Sequence, residues 1–461
     1  MHNEPDLSKA QLFLDDTWIE DANFVSRQWH QPRKFPDPVL KPEHPWEHWC
    51  PVMYGTVLHW RGRFRMWYNC WTREPKPRVC YAESTDGVAW EKPRLGVCEF
   101  DGSKDNNIVL QSEAPRYIDD ISVIDDPDDG EWPIKALFWE GKIHDLKQPD
   151  WGIWAARSKD CIHWDRSPGL VLPHWGDRFN AASVKIAGKY VVLGRAPGSR
   201  PHGRQAWRTE SRDLIHWSEP KKSLARDVED PVNMEYYSAT LFPYEGLTLG
   251  SIERMYMSPD RLDVELVWSY DAGRAWQRAP KRPAFLSPSE GARRWDDTWV
   301  NLPTNGPIRH QGRLWFYYSA RSGAHGSPYP FNHGAIGLAL LRVDGFASLM
   351  AGERTGLVVT KPMRWPKADV HVNADPRRDL ISHPGFCSGD VRVEARDAAG
   401  KAMRGFTWDD CEPVPQTVND PDASRKVLWR GGRSLRRLAG KRLRLAFRLR
   451  DAHLYSFRAR G

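Results

Sequence analysis

Four acidic residues stand out because each precedes a strand-like segment and has aromatic neighbours: Glu47, Asp120, Glu235 and Asp297. Carboxylates of this kind can cleave a glycosidic bond. One carboxyl group, kept protonated, releases the leaving oxygen, while a second, ionised one attacks or activates water. Aromatic faces next to such acids suit the apolar faces of sugar rings. We therefore take these four as the candidate catalytic residues.

Polar and aromatic residues near these acids complete the candidate site. The expected substrate contacts are Trp46, Asp177, Arg178, Asn180, Tyr236, Trp299, Asn301 and His325. Further ring faces are offered by Trp49, Trp175, Tyr237 and Trp295. Asp119 and Asp296 are adjacent alternates to two of the acids, because alternation along a strand lets only one of two neighbours face a given side. No Cys/His spacing typical of a metal site is present, so no metal is expected.

An internal repeat predicts the elements that position these residues. Four segments share an alternating strand, then Ser-x-Asp, then a short turn ending in Trp: Ser84/Asp86/Trp90, Ser158/Asp160/Trp164, Ser211/Asp213/Trp217 and Ser269/Asp271/Trp276. Short Ser and Asp side chains accept backbone N–H bonds in tight turns, and the Trp can pack between neighbouring sheets. These aspartates are therefore interpreted as structural. A degenerate fifth unit at 336–349 makes five, which predicts a five-bladed β-propeller.

The fold class is predicted as all-β, with the propeller over 1–365 and a small β-sandwich over 366–461. In the C-terminal part the Ser-x-Asp units stop, and Val391, Val393 and Ala395 alternate with charged residues, as in half-buried strands. The early segment 11–20 is expected to close the propeller ring, because closure removes exposed sheet edges.

Composition narrows the functional classes. The 461 residues carry a net charge of +7, but the basic residues are spread along the chain, so nucleic acid is not an expected partner. An acidic or sulfated glycan is a better candidate for the partner of a basic protein of this kind. No apolar run approaches the roughly 20 residues of a membrane span, and the N-terminal residues lack a signal-peptide pattern. We expect a cytoplasmic protein whose seven cysteines are mainly buried thiols.

The repeat units resemble known propeller enzymes. SKDCIHW and SRDLIHW are similar to the blade motifs of glycoside hydrolase families 32, 43 and 68 and of related mannoside phosphorylases. LFLDDTWIE and PVLKPEHPWE resemble bacterial family 32-like proteins. The segment IDDISVIDDPDDG resembles a family 43 motif, which implies that Asp120 orients substrate and tunes the acid. The chain departs from the family triad, since Asn180 stands where the acid Glu is expected and Glu47 is the nearest acid in blade one.

The sequence thus favours a glycoside hydrolase acting on a glycan, with a furanoside or an unusual bacterial or acidic polysaccharide as substrate. Glu235 is the expected general acid because Met234 and Tyr236 flank it, and Asp297 or Glu47 is the expected base or nucleophile. The alternatives are a non-catalytic carbohydrate-binding propeller, a phosphorylase with clustered Arg or His at the channel, and a protein scaffold. No cofactor is expected, apart from a structural Ca²⁺ ion that such a channel can hold.

Overall fold

The computed structural model describes residues 4–461 except 49, 72–76, 114, 143–148, 198–202, 292–293, 326–332, 377, 380–385, 388 and 418–422. The chain is all-β. The helices that the described residues form are short 3₁₀ turns, such as Pro45–Glu47 and Leu435–Leu438. It forms two compact units. One comprises Pro32–Ile308 and Trp315–Leu340, and the other Met1–Gln31, Arg309–Leu314 and Leu341–Gly461. No helix in the described part is long and apolar enough to cross a membrane.

The larger unit is a β-propeller built from antiparallel sheets in chain order. The first sheet contains the strands Cys50–Trp60, Arg63–Trp71, Arg78–Ser84 and Ile108–Leu110. The second contains Tyr117–Asp125, Ile134–Gly141, Gly152–Ser158 and Asp165–Pro173. The third contains Asn180–Ala181, Tyr190–Gly194, Ala206–Ser211 and Lys221–Leu224.

One continuous ten-stranded sheet follows in the chain. Its first half contains Met234–Tyr244, Leu247–Tyr256, Arg261–Ser269, Gln277–Arg278 and Ala284–Leu286. Its second half contains Trp299–Asn301, Ile308–His310, Arg313–Ser322, His333–Arg342 and Arg33–Lys34. The halves are joined by one parallel pairing, Leu262 with Trp299. Because that pairing makes the sheet continuous, the count of five blades stays a prediction.

Apolar side chains pack each sheet against the next. The first and second sheets share a core with Trp67 and Phe138, the second and third share one with Ile153 and Val192, and the third sheet meets the ten-stranded sheet around Leu193 and Leu241. The second half of the ten-stranded sheet packs back on the first sheet, where Tyr317 meets Phe64. The sheets therefore form a closed ring, as expected of a propeller.

The first strands of successive sheets contact one another at the centre of this ring. The N–H of Val123 donates to Thr56 Oγ1 at 2.8 Å, and the N–H of Ala181 donates to Ser122 Oγ at 3.0 Å. Thr304, just after the strand Trp299–Asn301, shares a 2.6 Å hydrogen bond with Thr56. The residues at the starts of these strands are thereby brought to one end of the ring.

The predicted role of the Ser-x-Asp turns is confirmed. In the unit at 158–164, the Asp160 carboxylate accepts the N–H groups of Ile162 and His163 at 2.9 and 2.8 Å, and Ser158 Oγ accepts that of Cys161. The units at Asp86, Asp213 and Asp271 repeat this pattern. Each carboxylate is occupied by its own turn, as a structural Asp should be.

The tryptophans of the repeat pack on neighbouring sheets, as predicted. Trp164 of the second sheet meets Trp67 of the first edge to face, with ring centroids 6.4 Å apart. Trp90 of the first sheet meets Tyr317 of the ten-stranded sheet at 5.6 Å. Trp276 of the ten-stranded sheet donates from Nε1 to Ser223 Oγ, in the last strand of the third sheet, at 2.9 Å. These contacts lock adjacent sheets together.

The prediction for ring closure was wrong in its residues. The outer strand that pairs with His333–Arg342 is Arg33–Lys34, where Lys34 Nζ lies 2.7 Å from the buried Asp296 carboxylate. The segment 11–20 instead contributes Gln11–Leu12 and part of Ile19–Asn23 to the smaller unit. The apolar Phe13 explains the difference, because it packs within this unit's core against Phe447 and Phe457.

The smaller unit is a β-sandwich of two sheets. The six-stranded sheet contains Gln11–Leu12, Ser26–Trp29, Ala347–Ala351, Asp369–Pro376, Arg425–Lys426 and Ala452–Arg460. The five-stranded sheet contains Ile19–Asn23, Gly356–Thr360, Met363–Arg364, Asp390–Asp397 and Arg442–Arg450. A two-stranded pair, Arg378–Asp379 and Phe386–Cys387, accompanies them. Val372, Val393 and Phe447 are among the residues of the core between the sheets. The unit thus includes 1–31 and 341–365, which the sequence prediction had grouped with the propeller.

Candidate functional site

Arg178 lies at the centre of a buried charged cluster in the propeller unit. Its Nη1 donates to Asp120 Oδ1 at 3.0 Å, and its Nη2 donates to Glu253 Oε1 at 2.7 Å. Its backbone N–H also donates to Asp120 Oδ2. All three residues are at most 2% exposed. A buried guanidinium held by two carboxylates, one of them bound twice, is a rigid arrangement.

Irregular backbone aims three side chains into this cluster. Asp120 is unpaired at a β-bulge between Ile121 and Asp119, and its φ of +46° is left-handed. Tyr237 is skipped in the same way between Tyr236 and Ser238. Bulges redirect a side chain that regular alternation would send to the other face, and they are common beside functional sites.

Tyr54 lies in a third irregularity, in the strand Cys50–Trp60. The pairing register shifts between Val52 and Thr56, and a Cβ on Gly55 would approach the carbonyl oxygen of Trp67 to 1.9 Å. Only glycine therefore allows the two backbones to come so close. This brings the Tyr54 ring beneath the Arg178 guanidinium, 4.0 Å from the ring centroid.

Two ion pairs surround the ring of Tyr237. Arg195 Nη1 donates to Asp177 Oδ1 at 2.8 Å, and Arg204 Nη1 donates to Glu235 Oε2 at 2.6 Å. The guanidinium groups lie 5.6 and 6.0 Å from the Tyr237 ring centroid. The side chains of Asp177 and Glu235 are 39% and 26% exposed, so these carboxylates reach solvent whereas those bound to Arg178 do not.

His325 covers the aromatic part of the site. Its ring stacks on Trp299 with centroids 4.6 Å apart and planes inclined by 14°, and its Nε2 lies 3.3 Å from the Tyr237 hydroxyl. Its backbone N–H donates to Asp260 at 2.8 Å. Burial, together with the charge of Arg321, lowers the pKa of His325 to about 4, so the imidazole is neutral at pH 7.

Burial and mutual repulsion shift the pKa values of the carboxyl groups. Burial raises the pKa of Asp119 well above its usual range, and the charges of Asp120 and Asp177 add to this. Burial also raises the pKa of Asp120, to about 7, although Arg178 opposes the rise. The pKa of Glu253 is raised by burial and lowered in part by Arg178. Asp119 therefore holds a proton in preference to Asp120, which is bound to a cation.

Several residues expected from the sequence lie in or beside this cluster: Asp120, Asp177, Arg178, Glu235, Trp299, Asn301 and His325. Asn301 lies beside Glu253, where it helps to lower the pKa of that carboxyl. Asn180 is buried and donates to Ser238 Oγ at 2.6 Å and to the Ala239 carbonyl at 2.9 Å. Asn180 thus joins the third sheet to the ten-stranded sheet.

The structure does not bring Glu47 to the cluster. Its buried carboxylate accepts the Tyr68 hydroxyl at 2.6 Å and lies 2.9 Å from Lys92 Nζ. Trp46 stacks on His44 and donates to Asn107 at 2.7 Å, within the same first-sheet region. Trp49 lies outside the described residues. Through these contacts, Glu47 and Trp46 hold the loop that precedes the first sheet.

Tyr236 and Asp297 also differ from expectation. The Tyr236 hydroxyl contacts Asp230 and Arg278 in the packing between sheets, because alternation after the bulge turns Tyr237 towards the site instead. Asp297 is partly exposed and accepts the Thr298 hydroxyl at 2.8 Å. Among the described residues we find no hydrogen bond between Asp297 and the arginines of the cluster.

Sequence reasoning missed Glu253 and three arginines, namely Arg195, Arg204 and Arg321. Glu253 and Arg321 lie within the strands Leu247–Tyr256 and Arg313–Ser322 of the ten-stranded sheet, and the other two lie beside strands of the third sheet. Acids that precede first strands follow a regular pattern, whereas these four residues do not. A charged residue within an otherwise apolar strand, as in SIER at 251–254, is the signal that would have found Glu253. The described residues contain no group of three or more potential ligands arranged to hold a metal ion.

No family model matches the chain, and no curated protein matches it. Solved structures do resemble it. A putative glycoside hydrolase from Bacteroides ovatus is 15% identical over 68% of this chain and 93% of its own, with a TM-score of 0.46. The β-1,2-mannobiose phosphorylase from Listeria innocua is 13% identical over 68% of this chain and 97% of its own, with a TM-score of 0.48. An α-L-arabinofuranosidase from Podospora anserina is 12% identical over 68% and 96%, with a TM-score of 0.45. At these identities and TM-scores the similarity supports no conclusion about this chain, and the resemblance to families 32, 43 and 68 stays a prediction.

Proposed function

We propose that this protein cleaves a glycosidic bond by hydrolysis at the cluster around Tyr237. One observation carries the proposal. Asp177 and Glu235 are partly exposed carboxylates, and each is bound to an arginine that packs over the same tyrosine ring. Two positioned carboxyl groups at an aromatic surface are what glycoside hydrolysis requires.

The environments of the two carboxylates suggest different roles. Asp177 lies close enough to Asp119 and Asp120 that its charge helps to raise the pKa of both, so the three form one group of neighbouring carboxyl groups. Asp177 is its exposed member and is the one that a glycosidic oxygen can reach. We assign the acid role to it. Glu235 is held in place by Arg204, and we assign it the role of base or nucleophile. This reverses the role expected for Glu235 from its apolar sequence neighbours.

Asp120 then acts as a positioning residue. Its carboxylate holds both the backbone and the guanidinium of Arg178, next to Asp177 in the chain. This agrees with the role that the family 43 resemblance implies for Asp120, which is to orient and tune rather than to react.

The test is a panel of aryl glycosides and bacterial polysaccharides, assayed for new reducing ends. Asp177→Asn and Glu235→Gln should each lower kcat by at least about a hundredfold, the lower range for losing a general acid or base. Glu131→Gln is the matched control, because Glu131 is exposed and pairs with the exposed Lys159 at 3.5 Å. Near-normal turnover in both site variants would refute the assignment. Sugar binding without turnover on any substrate would support a carbohydrate-binding propeller instead.

A second candidate function is phosphorolysis, favoured by the cationic groups near the Tyr237 ring. Arg195, Arg204 and Arg321 could hold inorganic phosphate there, with His325 beside them. The same panel, run with and without inorganic phosphate, separates the two reactions. Phosphate-dependent release of a sugar 1-phosphate would favour the phosphorylase, whereas phosphate-independent release of free sugar would favour the hydrolase.

A further inference from the structure

Arg321 is a buried cation that lacks an anionic partner among the described residues. It lies on the strand Arg313–Ser322 and is 6% exposed. Its Nη2 donates to the Tyr54 hydroxyl at 2.9 Å, and its guanidinium lies 4.6 Å from the Trp299 ring centroid. Its Nε is shielded from solvent and has no hydrogen-bond partner in the described part of the chain.

Four polar groups next to Arg321 are neutral at pH 7. Burial raises the pKa of the Tyr54 and Tyr237 hydroxyls, although Arg321 opposes the rise. Burial raises the pKa of the Cys50 thiol to about 11. Burial and Arg321 lower the pKa of His325 to about 4. None of these four neighbours supplies the negative charge that would balance the guanidinium.

The nearby carboxylates are already engaged. Asp177 and Glu235 each bind an arginine of their own. Asp260 accepts the N–H of His325 and lies 3.2 Å from Trp299 Nε1. Arg178 offers a direct comparison, because it is equally buried but contacts two carboxylates. A buried charge without a counter-ion destabilises a fold, so its presence at a candidate site calls for a ligand that supplies the missing charge.

We propose that Arg321 binds the carboxylate of a uronic acid unit, so that the glycan cleaved at this site is acidic. The inference rests on the proposed function, since it places a sugar at the Tyr237 ring. A guanidinium pairs with a planar carboxylate through two parallel hydrogen bonds. A single negative charge balances the single unpaired arginine. Phosphate, with a charge of about −1.5 to −2 at pH 7, would leave an excess of negative charge in a buried place.

Binding is measured with the whole protein by calorimetry and by thermal shift. The ligands are D-galacturonate and D-glucuronate, their neutral counterparts D-galactose and D-glucose, and inorganic phosphate. At least one uronate should raise the Tm of the wild-type protein, and its neutral counterpart should not. Arg321→Met should weaken uronate binding at least about tenfold, the effect of losing a charged hydrogen-bonded partner. Arg94→Met is the control, since Arg94 is an exposed residue paired with Asp105 at 2.9 Å.

Stability without ligand gives an independent readout. Because Arg321 is unpaired, Arg321→Met should have a Tm equal to or above that of the wild type. A marked fall in Tm would show that the fold itself supplies a counter-ion and would overturn the proposal. Three binding results would also overturn it. Neutral sugars could bind as well as uronates, Arg321→Met could keep the wild-type affinity for uronate, or phosphate alone could stabilise the protein. Uronate binding without turnover would refute the proposed hydrolase activity but leave the uronate site standing. Turnover of neutral glycans with no effect of uronate would support the hydrolase activity and refute the uronate site.

Discussion

Replacing Arg178 with methionine should destabilise the propeller in a pH-dependent way. The substitution leaves the buried carboxyls of Asp120 and Glu253 without their shared cation. Removing one partner of a buried ion pair typically costs about 3 to 5 kcal/mol. Two carboxylates lose a partner here, and Asp120 loses the guanidinium contact while the backbone N–H remains. We therefore expect a value towards the upper end of that range at pH 8.

The sign of the pH dependence follows from the carboxyl groups. The pKa of Asp120 in the folded protein is already raised to about 7 by burial, above the value of roughly 3.9 in an unfolded chain. The pKa of Glu253 is raised as well, and loss of Arg178 raises both further. Such groups hold their protons more tightly when folded, so stability falls as pH rises from the unfolded value through the folded one. The destabilisation should be smaller at pH 5 than at pH 8.

The measurement is the urea midpoint, followed by tryptophan fluorescence, at both pH values. Arg157→Met is the matched control, because Arg157 is partly exposed and its 2.8 Å pair with Asp165 is screened by solvent, so its loss should leave the midpoint nearly unchanged. The triple variant Asp120→Asn, Arg178→Met, Glu253→Gln removes all three charges and should recover most of the lost stability. A midpoint for Arg178→Met equal to that of the wild type, or a deficit that grows towards pH 5, would refute the reasoning.

Three further predictions concern the scaffold. Trp164→Ala removes a half-buried ring packed on Trp67 and should lower stability by about 2 to 3 kcal/mol, less than for a fully buried tryptophan; an unchanged Tm would contradict the packing role. Lys34→Met leaves the buried Asp296 carboxylate without its cation and should lower Tm, whereas the exposed Lys159→Met should not. Burial opposes ionisation of Asp160, but hydrogen bonds from His163 and Ile162 lower its pKa to about 2, below the value of roughly 3.9 when unfolded. The stabilisation by ionised Asp160 should therefore be present above pH 4 and lost as pH falls towards 2. In Asp160→Asn the urea midpoint should depend less on pH in that window.

The propeller could be predicted from the sequence because its repeat is local. Every hydrogen bond that defines the turn of Ser158 and Asp160 joins residues at most three apart. Such a turn leaves a fixed spacing of residue types along the chain. The closing strand Arg33–Lys34 leaves no such trace. It is only two residues long, and the contact of Lys34 with Asp296 spans 262 residues. Its alternation pattern is too short to indicate which sheet it joins.

The candidate site was predictable only where it follows the regular geometry of first strands. Asp120, Arg178 and Glu235 lie on or just before such strands and were identified. Glu253 lies within a second strand, and it reaches Arg178 because it is paired with Ser238, immediately after the Tyr237 bulge. Arg321 was missed for a similar reason, since its contact with Tyr54 depends on a long-range approach of 267 residues.

The irregular backbone also explains why the choice between Asp119 and Asp120 could not be made by alternation. Alternation assigns neighbouring residues to opposite faces, but the bulge at Asp120 adds a residue and leaves it outside the ladder. The left-handed φ values of Asp120 (+46°) and Arg178 (+56°) are costly for residues with a Cβ. The hydrogen bonds of the Asp120 carboxylate to the Arg178 backbone and guanidinium offset that strain. Each residue therefore holds the other in a conformation that it would rarely adopt alone, and the Arg178 guanidinium held in this way lies 5.9 Å from the centroid of the Tyr237 ring that the two exposed ion pairs surround.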